Sequence, residues 1–217
     1  MLMYMTRVKL NTAKRKTLFA LSNPNLFHGA LCQAFDDPRE KKLWRIDQLV
    51  SGIYLLIVSS HKPELQTFVT QFGFEEAANC WQYKVYDPFI DKLREDSKWH
   101  FRLVACPTHS VMDRENPDAK RGKVYPHVTP KYQKQWLLDR CEKHGMELSD
   151  DSFQIMADRT FSFKKTSSNR KVTLLSVTFE GTLKITNVDL FKELLIQGIG
   201  RGKGYGLGLL TIAGQIK

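Results

Sequence analysis

The sequence predicts an α+β fold built from two tandem ferredoxin-like domains, residues 1–92 and 93–217, each a β-α-β-β-α-β unit. Three observations lead there. Strand-like and helix-like apolar patterns follow one another in the same order twice along the chain. A charged, proline-containing stretch, Asp87 to Lys98, separates the two runs and reads as a linker. Finally, 217 residues with 42% hydrophobic side chains suffice for two small cores.

Taken in order, Met3 to Leu10 reads as a strand. Asn23-Pro24 then opens a helix whose Leu26, Phe27, Ala30, Leu31, Ala34 and Phe35 share one face. After the charged turn Asp36 to Lys42 come two strands, Leu43 to Asp47 and Gly52 to Ser59. A helix from Pro63 to about Phe72 and a strand near Tyr83 to Tyr86 complete the unit. The second unit begins with a strand, Trp99 to Cys106, followed by a long insertion. The helix Pro130 to His144 turns Trp136, Leu137 and Cys141 inward. Two long strands, Phe153 to Lys165 and Arg170 to Thr186, are joined by Thr166-Ser167-Ser168-Asn169, a turn composition that makes them a hairpin. The helix Val188 to Ile196 and the strand Leu207 to Ala213 close the pattern, which RNA-recognition modules also use.

Composition narrows the function. The longest apolar run, Ile53 to Val58, is far short of the roughly 20 residues that cross a bilayer, and the first residues lack a signal-peptide layout. A cytoplasmic protein that does not enter membranes is expected. Cys32, Cys80, Cys106 and Cys141 are scattered without a Cys-x-x-Cys pair, so free thiols are expected rather than structural zinc or disulfides. The net charge is +10; residues 1–97 carry 13 Lys+Arg against 11 Asp+Glu, and residues 98–217 carry 20 against 12. A basic surface concentrated in the second half fits a polyanion partner.

The most specific segment is Gly198-Ile199-Gly200-Arg201-Gly202-Lys203-Gly204-Tyr205-Gly206-Leu207-Gly208, which holds six of the chain's thirteen glycines. Without Cβ atoms, main-chain N–H groups can approach a phosphate, and Arg201 and Lys203 stand ready to hold it. No Gly-Lys-Ser/Thr ends the segment and it runs into a strand, so free mononucleotides are poor candidate ligands. A flexible surface hairpin is the plain alternative.

His28, in the first turns of the Asn23 helix, is the candidate acid-base group, because no metal-ligand cluster, nucleophile elbow or rival acid-base constellation is apparent. A satisfied core-edge histidine is the structural alternative. Cys32 follows at i+4, where a Cys–His pair or a core thiol would each fit. The insertion holds His109, Arg114, Lys120, Arg121, Lys123 and His127, a phosphate-touching loop or a solvated charged one. Phe161, Phe163, Lys164, Lys165, Arg170 and Lys171 gather aromatics and cations around one hairpin turn. That turn suits a nucleic-acid groove or, alternatively, a protected sheet edge.

Together with the glycine segment, Arg7-Val8-Lys9-Leu10-Asn11, Asn23-Pro24-Asn25-Leu26-Phe27-His28, Leu43-Trp44-Arg45-Ile46-Asp47 and Phe101-Arg102-Leu103-Val104-Ala105-Cys106-Pro107 make the chain resemble the CasE-type CRISPR-associated endoribonucleases, the repeat-processing subunits of the Cascade complex. The likeness runs nearly end to end. It implies cleavage of CRISPR precursor RNA at the 3′ base of the repeat stem-loop without metal or other cofactor. Attack of a 2′-hydroxyl on the adjacent phosphate would leave a 2′,3′-cyclic phosphate and a 5′-hydroxyl. His28 would be the general acid-base group. The RNA-binding residues would be Arg45, Arg114, Arg121, Lys164, Lys165, Arg170, Lys171, Gly200, Arg201, Gly202, Lys203 and Tyr205. Some relatives carry a catalytic tyrosine three residues before the histidine, where this chain has Asn25, which cannot shuttle a proton. His28 then works with positioning and cations alone, or Tyr205 or Lys203 substitutes. The implied partners are the repeat stem-loop and other Cascade subunits, with a monomer when isolated. A non-catalytic RNA-binding scaffold on the same fold is the competing reading.

Overall fold

The computed structural model describes residues 2–37, 40–77, 80–112, 122–164 and 171–216. The first half runs β1 (Tyr4–Lys9), α1 (Arg15–Ser22), α2 (Asn25–Cys32), β2 (Lys42–Leu49), β3 (Gly52–Ser59), α3 (Gln66–Phe72) and β4 (Trp81–Val85). Its strands form an antiparallel sheet in the order β2-β3-β1-β4, the ferredoxin-like order. Helix α1 was not expected. Its Leu18 and Phe19 are exposed and only Thr17 and Ala20 are buried, so no apolar stripe announces it. Thr17 fixes it by donating to the Phe72 carbonyl at 3.1 Å.

The expected linker packs instead of spacing. Tyr86 donates its N–H to the Met3 carbonyl, Met3 donates to the Asp87 carboxylate at 2.7 Å, and a one-turn helix α4 (Asp87–Ile90) follows. Tyr86, Ile90 and Leu93 are buried in the larger of two cores, which joins the second half to Met3, Leu43 and Val58 of the first. The smaller core, around Phe27, Leu31, Phe68 and Phe72, lies wholly within the first half.

The second half continues with β5 (Lys98–Ala105), β6 (Thr108–Val111), β7 (Lys123–Pro126), α5 (Pro130–Leu138), a 3-10 turn (Glu142–His144), β8 (Met146–Glu147), β9 (Phe153–Lys164), β10 (Lys171–Ile185), α6 (Val188–Gln197), a second 3-10 turn (Lys203–Tyr205) and β11 (Leu210–Ile216). The order β11-β5-β10, with β9 along the other edge of β10, repeats the ferredoxin-like arrangement. The helix expected to reach His144 stops at Leu138; a separate 3-10 turn, Glu142–His144, follows and ends at Gly145 in a left-handed conformation. The described part of the insertion is an antiparallel ribbon, β6 with β7. No helix among the described residues is long and apolar enough to cross a membrane.

Arg45 corrects one expectation. It is 2% exposed, and its guanidinium grips both Asp47 carboxylate oxygens at 2.8 Å. Its remaining donors reach the Arg102 carbonyl at 2.9 Å, the Leu209 carbonyl at 3.0 Å and the Thr211 hydroxyl at 2.9 Å. All five guanidinium donors are used inside the protein, so none is left for RNA. The residue ties β2 of the first sheet to β5, β11 and the residue before β11 in the second half.

Candidate active site

Helix α2 places His28. Its first turn closes when His28 donates its N–H to the Pro24 carbonyl at 3.0 Å. Phe27, 1% exposed, anchors it against Trp44, Phe68 and Phe72 with ring centroids 6.0, 5.9 and 5.0 Å away. One helical step further round, His28 lies half-buried at the edge of that core. There its ring meets Tyr205, with centroids 5.8 Å apart and planes at 54°.

The glycine segment is a closed structure rather than a loose hairpin. Ile199 N–H donates to the Gly208 carbonyl at 2.9 Å, and Tyr205 N–H to the Gly202 carbonyl at 2.8 Å. Gly202 and Gly206 bracket the Lys203–Tyr205 turn with φ of 80° and 81°. At Gly206 a Cβ would stand 2.7 Å from the Trp44 ring, so only glycine fits. At Gly204 it would stand 3.4 Å from His28 Cε1 and Nδ1, which measures how closely the backbone lies against the imidazole.

Between helix and loop opens a cleft of about 450 Å³ lined by His28, Cys32, Lys41, Lys42, Lys203 and Gly204, among others. Lys203 donates to the Gln197 carbonyl at 2.6 Å. Burial, and secondarily the Lys41 charge, hold its ammonium below the ordinary lysine pKa. Cations crowded in this way gain when an anion enters between them. Cys32 Sγ is 3.9 and 4.0 Å from the two ring nitrogens of His28. A thiol hydrogen-bonded in line would stand clearly nearer one nitrogen, so the contact is packing beside the ring.

The structure separates Arg201 from Lys203. Arg201 is exposed and lines a different cleft, about 540 Å³, with His109, His127 and Arg140, while Gly200 sits on the Trp136 ring. The hairpin reaches the site through its base, where buried Phe163 packs on Tyr205 at 5.1 Å. Lys164 and Lys171 face one another across the strands and are exposed. Arg114, Arg121, Lys165 and Arg170 lie outside the described residues. Sequence reasoning missed three cations. Lys41 and Lys42 border the His28 cleft, although the Glu40-Lys41-Lys42 run read only as a charged turn. Arg159 stacks over Phe161 at 4.7 Å and lines a groove of about 410 Å³ between the two halves, with Tyr205 and Gly206.

An imidazole beside several ammonium groups and a fixed backbone turn can bind a phosphodiester and move a proton next to it. Three comparisons bear on this arrangement. A sequence profile for the family described as "CRISPR associated protein" matches residues 3–214. The chain is 28% identical over 225 residues to CRISPR-associated endoribonuclease Cse3 of Thermus thermophilus, covering 97% of this chain and 100% of that one. It is 24% identical over 217 residues to the CRISPR system Cascade subunit CasE of Escherichia coli, covering 97% and 99%. The solved structure of Thermus thermophilus Cse3 bound to an RNA representing a pre-cleavage complex superposes with a TM-score of 0.79 at 25% identity, covering 99% of this chain and all of that one.

Proposed function

Since this chain belongs to the family of CRISPR-associated proteins, we propose that it is an endoribonuclease that cuts CRISPR precursor RNA at the 3′ base of the repeat stem-loop. It needs no metal ion, acts in the cytoplasm and keeps its product as a subunit of Cascade. The catalytic histidine belongs to a unit of residues 1–92, and the hairpin and glycine loop to a unit of residues 93–217. The observation that carries the reading is the meeting of His28 with the Lys203–Tyr205 turn beside a lysine-lined cleft.

In the reaction, the 2′-hydroxyl oxygen preceding the cut attacks the phosphorus and the bond to the 5′ oxygen breaks. One proton leaves the 2′-hydroxyl and one reaches the departing oxygen, giving a 2′,3′-cyclic phosphate and a 5′-hydroxyl. His28 handles one or both protons, a role of the kind that contributes about 10²–10⁴-fold in rate. Lys203 offsets the charge that builds on the phosphate oxygens. The amide of Asn25 cannot carry a proton, so the proton transfers fall to His28. Lys164 and Lys171, beyond the Phe163–Tyr205 contact, hold stem phosphates. Incubating the protein with its repeat RNA in EDTA and mapping both new ends tests the whole reading; a 3′-hydroxyl end or a metal requirement would defeat it.

A further inference from the structure

Four rings form a row beside the cleft that Arg201 lines. Tyr125 and His109 are register partners on β7 and β6, with centroids 6.1 Å apart. His109 is 4.6 Å from His127, and His127 is 5.9 Å from Tyr132 in the first turn of α5. His127 is fixed from behind by its N–H to the Pro107 carbonyl at 2.9 Å and by fully buried Gln133, which donates to the His127 carbonyl at 3.0 Å. The row packs only on itself on its outer side: His109, Tyr125 and Tyr132 are exposed, and His127 is half-buried. Tyr and His rings combine a flat apolar body with a polar edge, which suits contact with a base at a wet surface.

His109 and His127 also border the 540 Å³ cleft that contains Arg140 and Arg201. Arg140 lies over the Trp136 ring at 4.3 Å and donates to the Trp136 carbonyl at 2.7 Å, which holds its guanidinium in place. Burial first, then His109 and Arg140, keep the His127 imidazole below its ordinary pKa, leaving an uncharged flat face near pH 7. Arg201 stands only two residues before Lys203, a stretch of chain that spans at most about 7 Å, on the scale of one nucleotide step. The two clefts are therefore lined from one short stretch of chain, Lys203 in one and Arg201 in the other.

We infer that the ring row and the Arg140–Arg201 cleft together bind an unpaired segment of the RNA that adjoins the stem, with bases stacked on the rings and phosphates against the guanidinium groups. The inference rests on the RNA-cleaving reading above. Aromatic faces beside a cationic groove are the usual means of holding single strands, because every base has a flat face to stack.

The test uses the intact protein and uncleavable repeat hairpins, made with a 2′-deoxynucleotide before the cut. One has no tail, one a short unpaired 5′ tail, and one a short unpaired 3′ tail. Each tail carries 2-aminopurine. One of the two tails is expected to tighten binding about tenfold over the bare hairpin, with quenching of the tail fluorophore. His109→Ala/His127→Ala, which removes the middle of the row, should cut both the gain and the quenching while binding the bare hairpin like the parent. His127→Phe, which keeps a ring, should retain the quenching. The exposed Tyr132→Ala should weaken the gain without disturbing folding. Tails that add nothing, or a gain and quenching unchanged by the double substitution, would overturn the inference alone. Failure to bind even the bare hairpin would overturn the RNA-cleaving reading and this inference with it.

Discussion

The ring of His28 and the ring of Tyr205 meet at 5.8 Å, although one belongs to a helix of the first sheet's half and the other to the glycine loop of the second. The site exists only because the two halves are held in one relationship. That dependence shapes the expected behaviour of several variants.

Arg45→Ala should destabilise the protein by about 3–5 kcal/mol, because it leaves Asp47 buried without its bidentate partner. Arg45→Met combined with Asp47→Leu should recover much of that loss. Denaturant unfolding measures both. If Arg45→Ala keeps parental stability but weakens RNA binding with a shallower salt dependence, Arg45 is an RNA contact after all.

Gly206→Ala forces a side chain into the Trp44 ring and into a left-handed backbone conformation. The combined cost should be about 2–4 kcal/mol, seen as a lower denaturation midpoint. Gly204→Ala has room and an ordinary contact with His28, so it should keep stability while slowing cleavage. Equal stability losses at the two positions would contradict the packing described.

Lys203 gives a pH signature. Its folded pKa lies below that of a free lysine, chiefly from burial and then from Lys41. Between those two values the unfolded chain binds more protons, so this group adds stability as pH rises through that window. RNA binding needs the charged form, so affinity should fall as pH rises through the lowered value. Lys203→Arg, which stays protonated, should flatten that fall. Titrating RNA affinity from neutral to alkaline pH checks this; identical pH profiles for the two proteins would remove Lys203 from the phosphate site.

Much of this was legible in the chain because its signals are local. The spacing of Phe27 and Leu31 marks the α2 face, the Phe161–Lys171 stretch marks the hairpin, and the glycines of residues 198–208 mark a tight backbone. Helix α1 left no strong apolar stripe, since its inward face is Thr17, Ala20 and the partly buried Leu21 while Leu18 and Phe19 are exposed. Arg45 looked like a cation for RNA, because no local pattern shows that carbonyls of Arg102 and Leu209 will receive it. Arg201 and Lys203 are two apart in sequence, but the turn that begins at Lys203 sends them to different clefts, a consequence of backbone geometry rather than residue type. Lys41 joins Lys203 only through tertiary packing.

The central claim is that His28 moves a proton at the scissile phosphate, and single-turnover cleavage of the repeat hairpin by His28→Ala in EDTA tests it most directly. The substitution is expected to lower the cleavage rate by about 10²–10⁴-fold while leaving the dissociation constant for the hairpin unchanged. Cleavage at the parental rate would contradict the account.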